Sequence, residues 1–316
     1  MRSRLHLIAF LLIVFALPLL IRNPYGQHIL VMSGIFVLFS VGLNIIVGFL
    51  GQLSLGHSAY FGIGAYAYAI LLLNVGIPWF LSLCLAVMIS GLFGFLIGYP
   101  SLRLKGPYFA IVSLAFAMII RLIAVNWQSL TNGPMGITGI KPPNIPLIGG
   151  RSLCFDSALS NYYLILCFVI LGIFVLHRIR HSRAGDTFDA CRENEELAQS
   201  VGINTSRAKI VALIISTMFI GASGGLYAQY VTYISPEIFG WYYIATPLIM
   251  VIIGGAGTIA GPIIGAVIFT FLPEFLRALA EYRLVIFGLI MIVGVLFMPE
   301  GMYGIWQKIS KVKAEK

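Results

Sequence analysis

The chain alternates long apolar runs with short polar stretches. Ten apolar runs can be drawn, over about 5–21, 28–50, 57–74, 78–98, 107–125, 161–177, 207–228, 242–256, 258–273 and 284–299. Most approach the length that a helix needs to cross a bilayer. They are continuously apolar, whereas the strands of a membrane barrel alternate apolar and polar residues. The pattern therefore predicts an all-α polytopic membrane protein with about ten transmembrane helices in a single domain, 1–316.

Two polar interruptions are longer than the others. The first, about 126–160, is rich in Gly and Pro and contains TNGPMGITGIKPPNIPLIGG. Long loops without a helical pattern are usually functional or mobile, so this one is expected to cover an outer mouth or contact an external partner. The second, about 178–209, is the longest polar stretch of the chain. A polar block of this size needs water or a partner protein, which predicts a cytoplasmic segment.

The polar segment has the signals of a helix. Asp186 is a candidate N-cap for a helix that starts near Thr187, with Asp189 in a position like that of a capping box. Gly202 is a suitable residue just beyond the C-terminus. Such a helix, over about 187–201, is either solvated on most sides or docked on another protein. Its length and its place between two membrane halves favour docking.

Composition and charge support a membrane location. Hydrophobic residues make up 59% of the chain and charged residues 10%, whereas a soluble domain has about 25% charged residues. The formal net charge of +9 would suggest nucleic-acid binding if the protein were soluble. With ten alternating helices and the N-terminus inside, only six of the 20 Lys and Arg fall outside: Arg22, Arg121, Lys141, Arg151, Arg277 and Arg283. This asymmetry predicts that both termini are cytoplasmic, with a retained first helix rather than a cleaved signal peptide.

A first motif, GFLGQLSLGHSAYFGIGAY at 48–66, mixes glycines with polar residues. The small residues allow helices to approach closely. The glycines can equally break a helix where the backbone lines a cavity. In that case Asn44, Gln52, Ser54 and His57 would lie beside a translocation path. No second ligand stands at metal spacing from His57, so no metal site is expected.

A second motif, GGAGTIAGPIIGA at 254–266, repeats glycine every four residues. Gly257, Gly261 and Gly265 would share one helix face, where a neighbouring helix can pack backbone to backbone. A phosphate-binding loop is the competing interpretation of a glycine-rich stretch. It is disfavoured because no charged residue or strand pattern accompanies the glycines.

Catalytic signatures are absent from the sequence. It contains no G-x-x-x-x-G-K-[ST], so a partner would have to bind ATP and Mg if the protein uses them. Nothing resembles a nucleophile and its base either. We therefore expect a transport subunit that binds no cofactor itself, and not an enzyme.

Several of these stretches together resemble a known family. GLN at 42–44, GQLSLGHSAYFGIGAY, TNGPMGITGI at 131–140, RENEELAQSVGIN at 192–204, LYAQYVTYISPEIF at 226–239 and GGAGTIAGPIIGA are similar to the LivM-type permease of branched-chain amino-acid ABC importers. The resemblance implies an ABC importer permease bundle in the bacterial inner membrane. It implies four kinds of partner: a second related permease, two ATPase subunits, a periplasmic substrate-binding protein and the lipid bilayer, with no nucleic acid.

The resemblance also implies a role for the polar segment. Its part at 192–204 resembles the coupling loop that docks on an ATPase, which designates Asp189, Arg192, Glu193, Asn194, Glu195 and Gly202 as coupling residues. Glu196 and Leu197 depart from the usual family residues, so the fine geometry of docking is left open.

The expected function is import of leucine, isoleucine and valine driven by ATP. Permeases for urea or short amides share most of these motifs and remain an alternative. A stand-alone secondary transporter is the other, although it would need carboxylates inside the membrane. Arg121 is the nearest charge to the interior of a run; it either snorkels to the surface or meets a substrate carboxylate.

Overall fold

The computed structural model describes residues 14–275, except 22, 102, 103, 105 and 147–151, together with short pieces between 282 and 304. A helical stretch covers 14–20. The α-helices that follow are α1 Pro24–Asn44, α2 His57–Leu73, α3 Trp79–Ser101, α4 Pro107–Asn126, α5 Gln128–Thr131, α6 Ala158–Arg180, α7 Arg183–Glu193, α8 Glu195–Ser200, α9 Thr205–Val231, α10 Trp241–Gly255 and α11 Ala260–Phe275.

The helical membrane architecture expected from the apolar runs is present. Among the described residues, five helical segments are long and apolar enough to cross a membrane: Pro24–Phe49, Trp79–Ser101, Pro107–Asn126, Ala158–Arg180 and Thr205–Val231. Three shorter apolar helices accompany them, α2, α10 and α11. The first and last predicted runs, about 5–21 and 284–299, fall mostly outside the described residues, as do both termini. The count of about ten spans therefore stays a prediction.

Helix α1 occupies the centre of the bundle. Asn23 caps its N-terminus by accepting a hydrogen bond from the Tyr25 amide at 3.1 Å, and Pro24 fits the first turn, where no amide donor is needed. Its residues are apolar around the whole circumference and are buried from Ile29 onward, apart from Met32 and Gly34. A helix that is apolar on all sides is buried on all sides. Helices α6, α9, α10 and α11 surround it.

Helix α9 is the second central helix, and small residues set its spacing from α2. A Cβ added at Gly64 would collide with the Gly221 carbonyl, and one at Gly224 would collide with the Phe61 carbonyl. The two backbones therefore touch directly, as small residues in membrane helices allow. Close packing thus accounts for part of the 48–66 motif.

The other part of that motif breaks the helical path. After α1 the backbone widens into a π-helical turn, Ile45–Phe49, and residues 50–56 are not helical. Gly51 has a φ of 72°, which a residue without a Cβ adopts without strain. Helix α2 then begins at His57. Non-helical backbone at membrane depth is tolerated where protein surrounds it.

Short strands modify the all-α expectation. β1, Ile137–Thr138, pairs antiparallel with β4, Tyr233–Ile234, so that the loop before α6 is tied to the segment after α9. β2, Asn144–Pro146, pairs with β3, Ser152–Cys154. The long loop at about 126–160 is therefore structured in its described part, with α5, a 3-10 turn at Gly133–Met135 and these strands.

Candidate functional site

The polar segment folds as two short helices, which corrects the single helix expected over about 187–201. Helix α7 starts at Arg183, one turn earlier than expected, with Ser182 rather than Asp186 at the N-cap position. Asn194 is extended and separates α7 from α8. Its side-chain oxygen accepts from the amides of Glu196 and Leu197 at 3.1 and 3.0 Å, so it caps the second helix.

Gly202 ends α8 as a C-terminal cap. Its φ is 89°, the Gly202 amide donates to the Gln199 carbonyl at 3.0 Å, and the Ile203 amide donates to the Ala198 carbonyl at 3.0 Å. This pair of bonds is the Schellman arrangement, which needs a residue at positive φ. The chain is thereby turned directly into α9.

A buried ion pair fastens α8 to α9. The Lys209 ammonium donates to Glu195 Oε1 at 2.6 Å, and the Lys209 side chain is only 4% exposed. The Thr205 hydroxyl donates to the same carboxylate oxygen at 3.3 Å, and Gln199 Nε2 donates to Thr205 Oγ1 at 2.7 Å. Lysine is almost never fully buried unless it is paired. Glu195 is therefore committed to a contact within the chain.

The apolar side of α7 is held against the bundle. Phe188 and Cys191 are buried, and burial raises the pKa of the Cys191 thiol, with a further increase from Glu195 that the Lys209 charge partly opposes. Arg180, the last residue of α6, forms an ion pair with Asp189 of α7. The Arg180 guanidinium also lies over the Phe49 ring, 5.1 Å from its centroid, as in a cation–π contact.

Arg192 reaches the helix break from the same segment. Its Nη1 donates to the Gly48 carbonyl at 2.6 Å, and the aliphatic part of its side chain packs against Gly51. A Cβ added at Gly257 would collide with Arg192 Nη1. The guanidinium is thus in contact with both the π-helical turn and the link between α10 and α11.

Asn44 joins the same place from the end of α1. Its Nδ2 donates to the Thr258 carbonyl at 2.8 Å and its Oδ1 accepts from the Gly257 amide at 2.9 Å. A Cβ at Gly48 would collide with both Asn44 and Gly257. We name this cluster, made of Asn44, Gly48, Gly257 and Thr258, the Asn44 junction. It brings together Asn44, which is expected on a translocation path, and Gly257, which is expected in helix packing. Arg192, which is expected in coupling, contacts this cluster.

The other candidate path residues lie near the start of α2. Ser54 and His57 are buried at 3% exposure each. His57 Nε2 is 3.2 Å from Ser216 Oγ, and the Ser216 hydroxyl donates to the Gly42 carbonyl at 2.7 Å. Because that hydroxyl proton is engaged, His57 Nε2 is the donor to Ser216, which leaves Nδ1 as an acceptor.

Unpaired polar atoms are concentrated in this same stretch. Among the described residues, five buried side-chain atoms lack a hydrogen-bond partner, and all lie between 52 and 68: Gln52 Oε1, His57 Nδ1, Ser58 Oγ, Tyr66 OH and Tyr68 OH. Buried polar groups in proteins normally have a protein or water partner. Packing among the described residues thus leaves these five atoms, one before α2 and four on it, without a partner. Whether Asn44, Gln52, Ser54 and His57 line a path stays a prediction.

The glycines of the second motif do not share one helix face. Gly257 lies in the link before α11, with a φ of 82°, because the backbone turns there and α11 begins at Ala260. Gly261 and Gly265 lie on α11 and meet α10: a Cβ at Gly265 would collide with the Met250 carbonyl, and one at Gly261 with the Gly255 carbonyl. The expected face of three glycines is therefore corrected to two, Gly261 and Gly265, which pack closely against Gly254 of α10.

Comparison with known families decides what kind of chain this is. Residues 25–295 match the family described as branched-chain amino acid transport system / permease component. The chain belongs to this permease family. The resemblance to LivM-type permeases is thereby confirmed, and the chain is a multi-pass membrane transport subunit.

Individual relatives agree with the family. The LivM permease protein of the high-affinity branched-chain amino acid transport system of Salmonella typhimurium is 31% identical over 99% of this chain and 78% of its own length. The LivM protein of Escherichia coli is 30% identical over 99% and 77%. A LivH permease protein of Salmonella typhimurium is 25% identical over 85% and 91%. No solved structure matches this permease.

An exposed apolar pair on the permease's polar segment was missed at the sequence level. Leu197 and Val201 are 62% and 70% exposed and are four residues apart, which places them on one face of α8 and its cap. Ala198 is the buried residue of α8. The Asn194 break rotates α8 relative to α7, and no sequence pattern indicated that rotation.

The remaining predicted coupling residue and the interior cation are at the surface of the permease. Glu193 is exposed at the end of α7. Arg121 is exposed on α4, a position compatible with snorkelling.

Lys209 and Gly48 were missed at the sequence level. Lys209 follows Glu195 by fourteen residues, so no local spacing links the two. The Gly48 carbonyl is a backbone acceptor, which leaves no sequence signal.

Proposed function

We propose that this chain is the transmembrane permease subunit of an ATP-driven importer of leucine, isoleucine and valine. It forms half of the translocation pathway, together with a second related permease. Two ATPase subunits bind the ATP and Mg, and an external binding protein delivers the substrate. Relatives named as LivM and LivH permease proteins of high-affinity branched-chain amino acid systems support this assignment.

The observation that most supports docking of the polar segment on an ATPase subunit is the exposed pair Leu197 and Val201. These apolar side chains project from a helix that the buried Glu195–Lys209 ion pair holds on α9. Exposed apolar side chains on an otherwise polar and rigidly held surface are typical of a protein contact. An ATPase groove is the occupant that a permease of this family requires. The polar segment is then cytoplasmic, and the structured loop at about 126–160 faces outward.

The pathway part is supported by the polar atoms of α2. A zwitterionic amino acid carries apolar, cationic and anionic groups, and its passage needs polar atoms that are not already paired. The unpaired oxygen and nitrogen atoms between 52 and 68 supply them. Weak contacts of this kind suffice, because the external binding protein provides the selectivity.

Reconstitution tests the proposal directly. The permease is purified with the second permease and the ATPases, placed in vesicles with ATP on the ATPase side, and supplied with a loaded binding protein and labelled leucine. We expect uptake that requires ATP and is competed by isoleucine and valine but not by urea or acetamide. Uptake by the chain alone without ATP would indicate a secondary transporter, and uptake of urea without leucine would indicate the amide alternative.

A further inference from the structure

Two arginines, Arg180 at the end of α6 and Arg192 in the last turn of α7, contact consecutive residues of one helical turn. Arg180 lies over the Phe49 ring, and Arg192 donates to the Gly48 carbonyl. Both targets belong to the π-helical turn Ile45–Phe49. π-helical turns are rare and occur frequently at functional sites, and this one stands at the end of α1, where the helical path breaks.

The hold of Arg192 on this turn is specific in geometry. Its Nη1 donates to the Gly48 carbonyl and stands where a side chain on Gly257 would collide with it. Gly48 is also the residue at which a side chain would collide with Asn44 and Gly257. Arg192 therefore contacts both the π-helical turn and the link between α10 and α11 where they approach each other in the Asn44 junction.

Asn44 extends the contact to the next two helices. Both functional groups of its amide are used, one on the Thr258 carbonyl and one on the Gly257 amide. Thr258 in turn caps α11, since its Oγ1 accepts from the Gly261 amide at 3.0 Å. A displacement of Arg192 thus reaches the end of α1 and the start of α11 through four consecutive contacts.

We propose that Arg192 is the positioning residue that transmits motion of the polar segment to the Asn44 junction, and so to the relative placement of α1, α10 and α11. Coupling between distant sites travels through contiguous networks of packed and hydrogen-bonded groups. This inference rests on the proposed function, because it needs an ATPase that moves the polar segment. It assigns transmission to Arg192, whereas Leu197 and Val201 bind the ATPase.

The test compares Arg192→Gln with Arg192→Lys and Arg178→Gln in the assembled, reconstituted transporter. Gln is too short to reach the Gly48 carbonyl, whereas Lys keeps a charged donor. Arg178 is a matched cation on α6 that lies over the Phe174 ring and outside the coupling contacts. We expect Arg192→Gln to keep the ATPases bound and to lower leucine uptake at least tenfold. Arg192→Lys should fall between it and wild type, and Arg178→Gln should stay within about twofold of wild type.

Amide hydrogen exchange on the same complexes measures local opening of the backbone at the Asn44 junction. Arg192→Gln should raise exchange at least tenfold at 45–52 and 257–261, and leave α3 unchanged. Asn44→Asp, which removes the donor to Thr258, should lower uptake, and combining it with Arg192→Gln should add little because the two act as one unit. Unchanged exchange, uptake equal to that of Arg178→Gln, or loss of ATPase binding in step with uptake would each overturn the inference. Failure of wild type to import leucine would instead overturn the proposed function, and the exchange comparison would still show whether Arg192 holds the Asn44 junction.

Discussion

The carboxylate of Glu195 and the ammonium of Lys209 lie 2.6 Å apart, with the lysine side chain almost completely buried. Glu195 opens α8 and Lys209 lies in the second turn of α9. The pair therefore fixes the angle at which the polar segment leaves the membrane helices. A segment that transmits motion must be rigid relative to the helices that it moves, and this contact provides that rigidity.

Breaking the pair from one side should destabilise the permease. In Glu195→Gln, Lys209 stays charged and buried. Removing one partner of a buried ion pair costs about 3–5 kcal/mol, and because 23% of the Glu195 side chain is exposed, we expect the lower end of that range. Glu193→Gln, a neighbouring exposed carboxylate, should change stability by no more than about 0.5 kcal/mol. Thermal unfolding of the detergent-solubilised chain measures both.

Restoring neutrality should rescue the fold. The double variant Glu195→Gln, Lys209→Met leaves no buried charge, and the uncompensated buried charge is what makes the loss of one partner costly. We expect it to recover most of the lost stability. If the double variant is as unstable as the sum of the single variants, the ion pair does not fix α8 on α9.

Leu197→Asp should remove ATPase binding without unfolding the chain. The Leu197 side chain is 62% exposed, so the charge disturbs no internal packing. Burying a leucine in a partner contributes about 1.5–3 kcal/mol, and each 1.4 kcal/mol is about tenfold in affinity. We expect at least a tenfold loss of ATPase co-purification. Met135→Asp, at a comparably exposed apolar residue near the other end of the bundle, should bind the ATPases normally; equal binding by both variants would remove the docking assignment.

The helix breaks show how far local sequence specifies this fold. Helix α1 was evident from its apolar run, because burial of every face requires mostly apolar residues on all sides of the helix. The π-helical turn at Ile45–Phe49 was not evident, since its contacts come from distant parts of the chain: Arg192 bonds to Gly48, and Gly257 bonds to the adjacent Asn44. Glycines marked the break but could not distinguish a turn from a close contact, and the motif at 48–66 contains both.

The candidate site was predictable residue by residue but not as an arrangement. Gly202 was identified correctly as a cap, because a positive φ after a helix has a local cause. Asp186 was wrong as an N-cap, since α7 already begins at Arg183 and Asp186 lies in its first turn. Asn44, Arg192 and Gly257 were each selected for different reasons. Their common contact arises from packing between helices that lie far apart in sequence, which no spacing rule reports.

Gly261→Ala should be far more disruptive than the same change at Gly288. A Cβ at Gly261 would collide with the backbone carbonyl of Gly255, whereas nothing lies within 4 Å of a Cβ at Gly288. Overpacking a close contact costs about 1–3 kcal/mol, so Gly261→Ala should lower the yield of folded, complexed permease and Gly261→Leu should abolish it. Size-exclusion profiles of the two alanine variants provide the measurement. Equal profiles would mean that α10 and α11 are not in backbone contact.

Cysteine labelling in intact cells should place the polar segment inside and the loop before α6 outside. Native Cys154 is exposed in that loop, and Ser200 is exposed at the end of α8. In a background without Cys84 and Cys167, a membrane-impermeant maleimide should label Cys154. In a second chain that also carries Cys154→Ser, Ser200→Cys should react only after permeabilisation. Cys191 should stay unreactive in both, because it is buried and its pKa is raised. Labelling of Ser200→Cys before permeabilisation would reverse the proposed orientation and exclude docking of a cytoplasmic ATPase on α8.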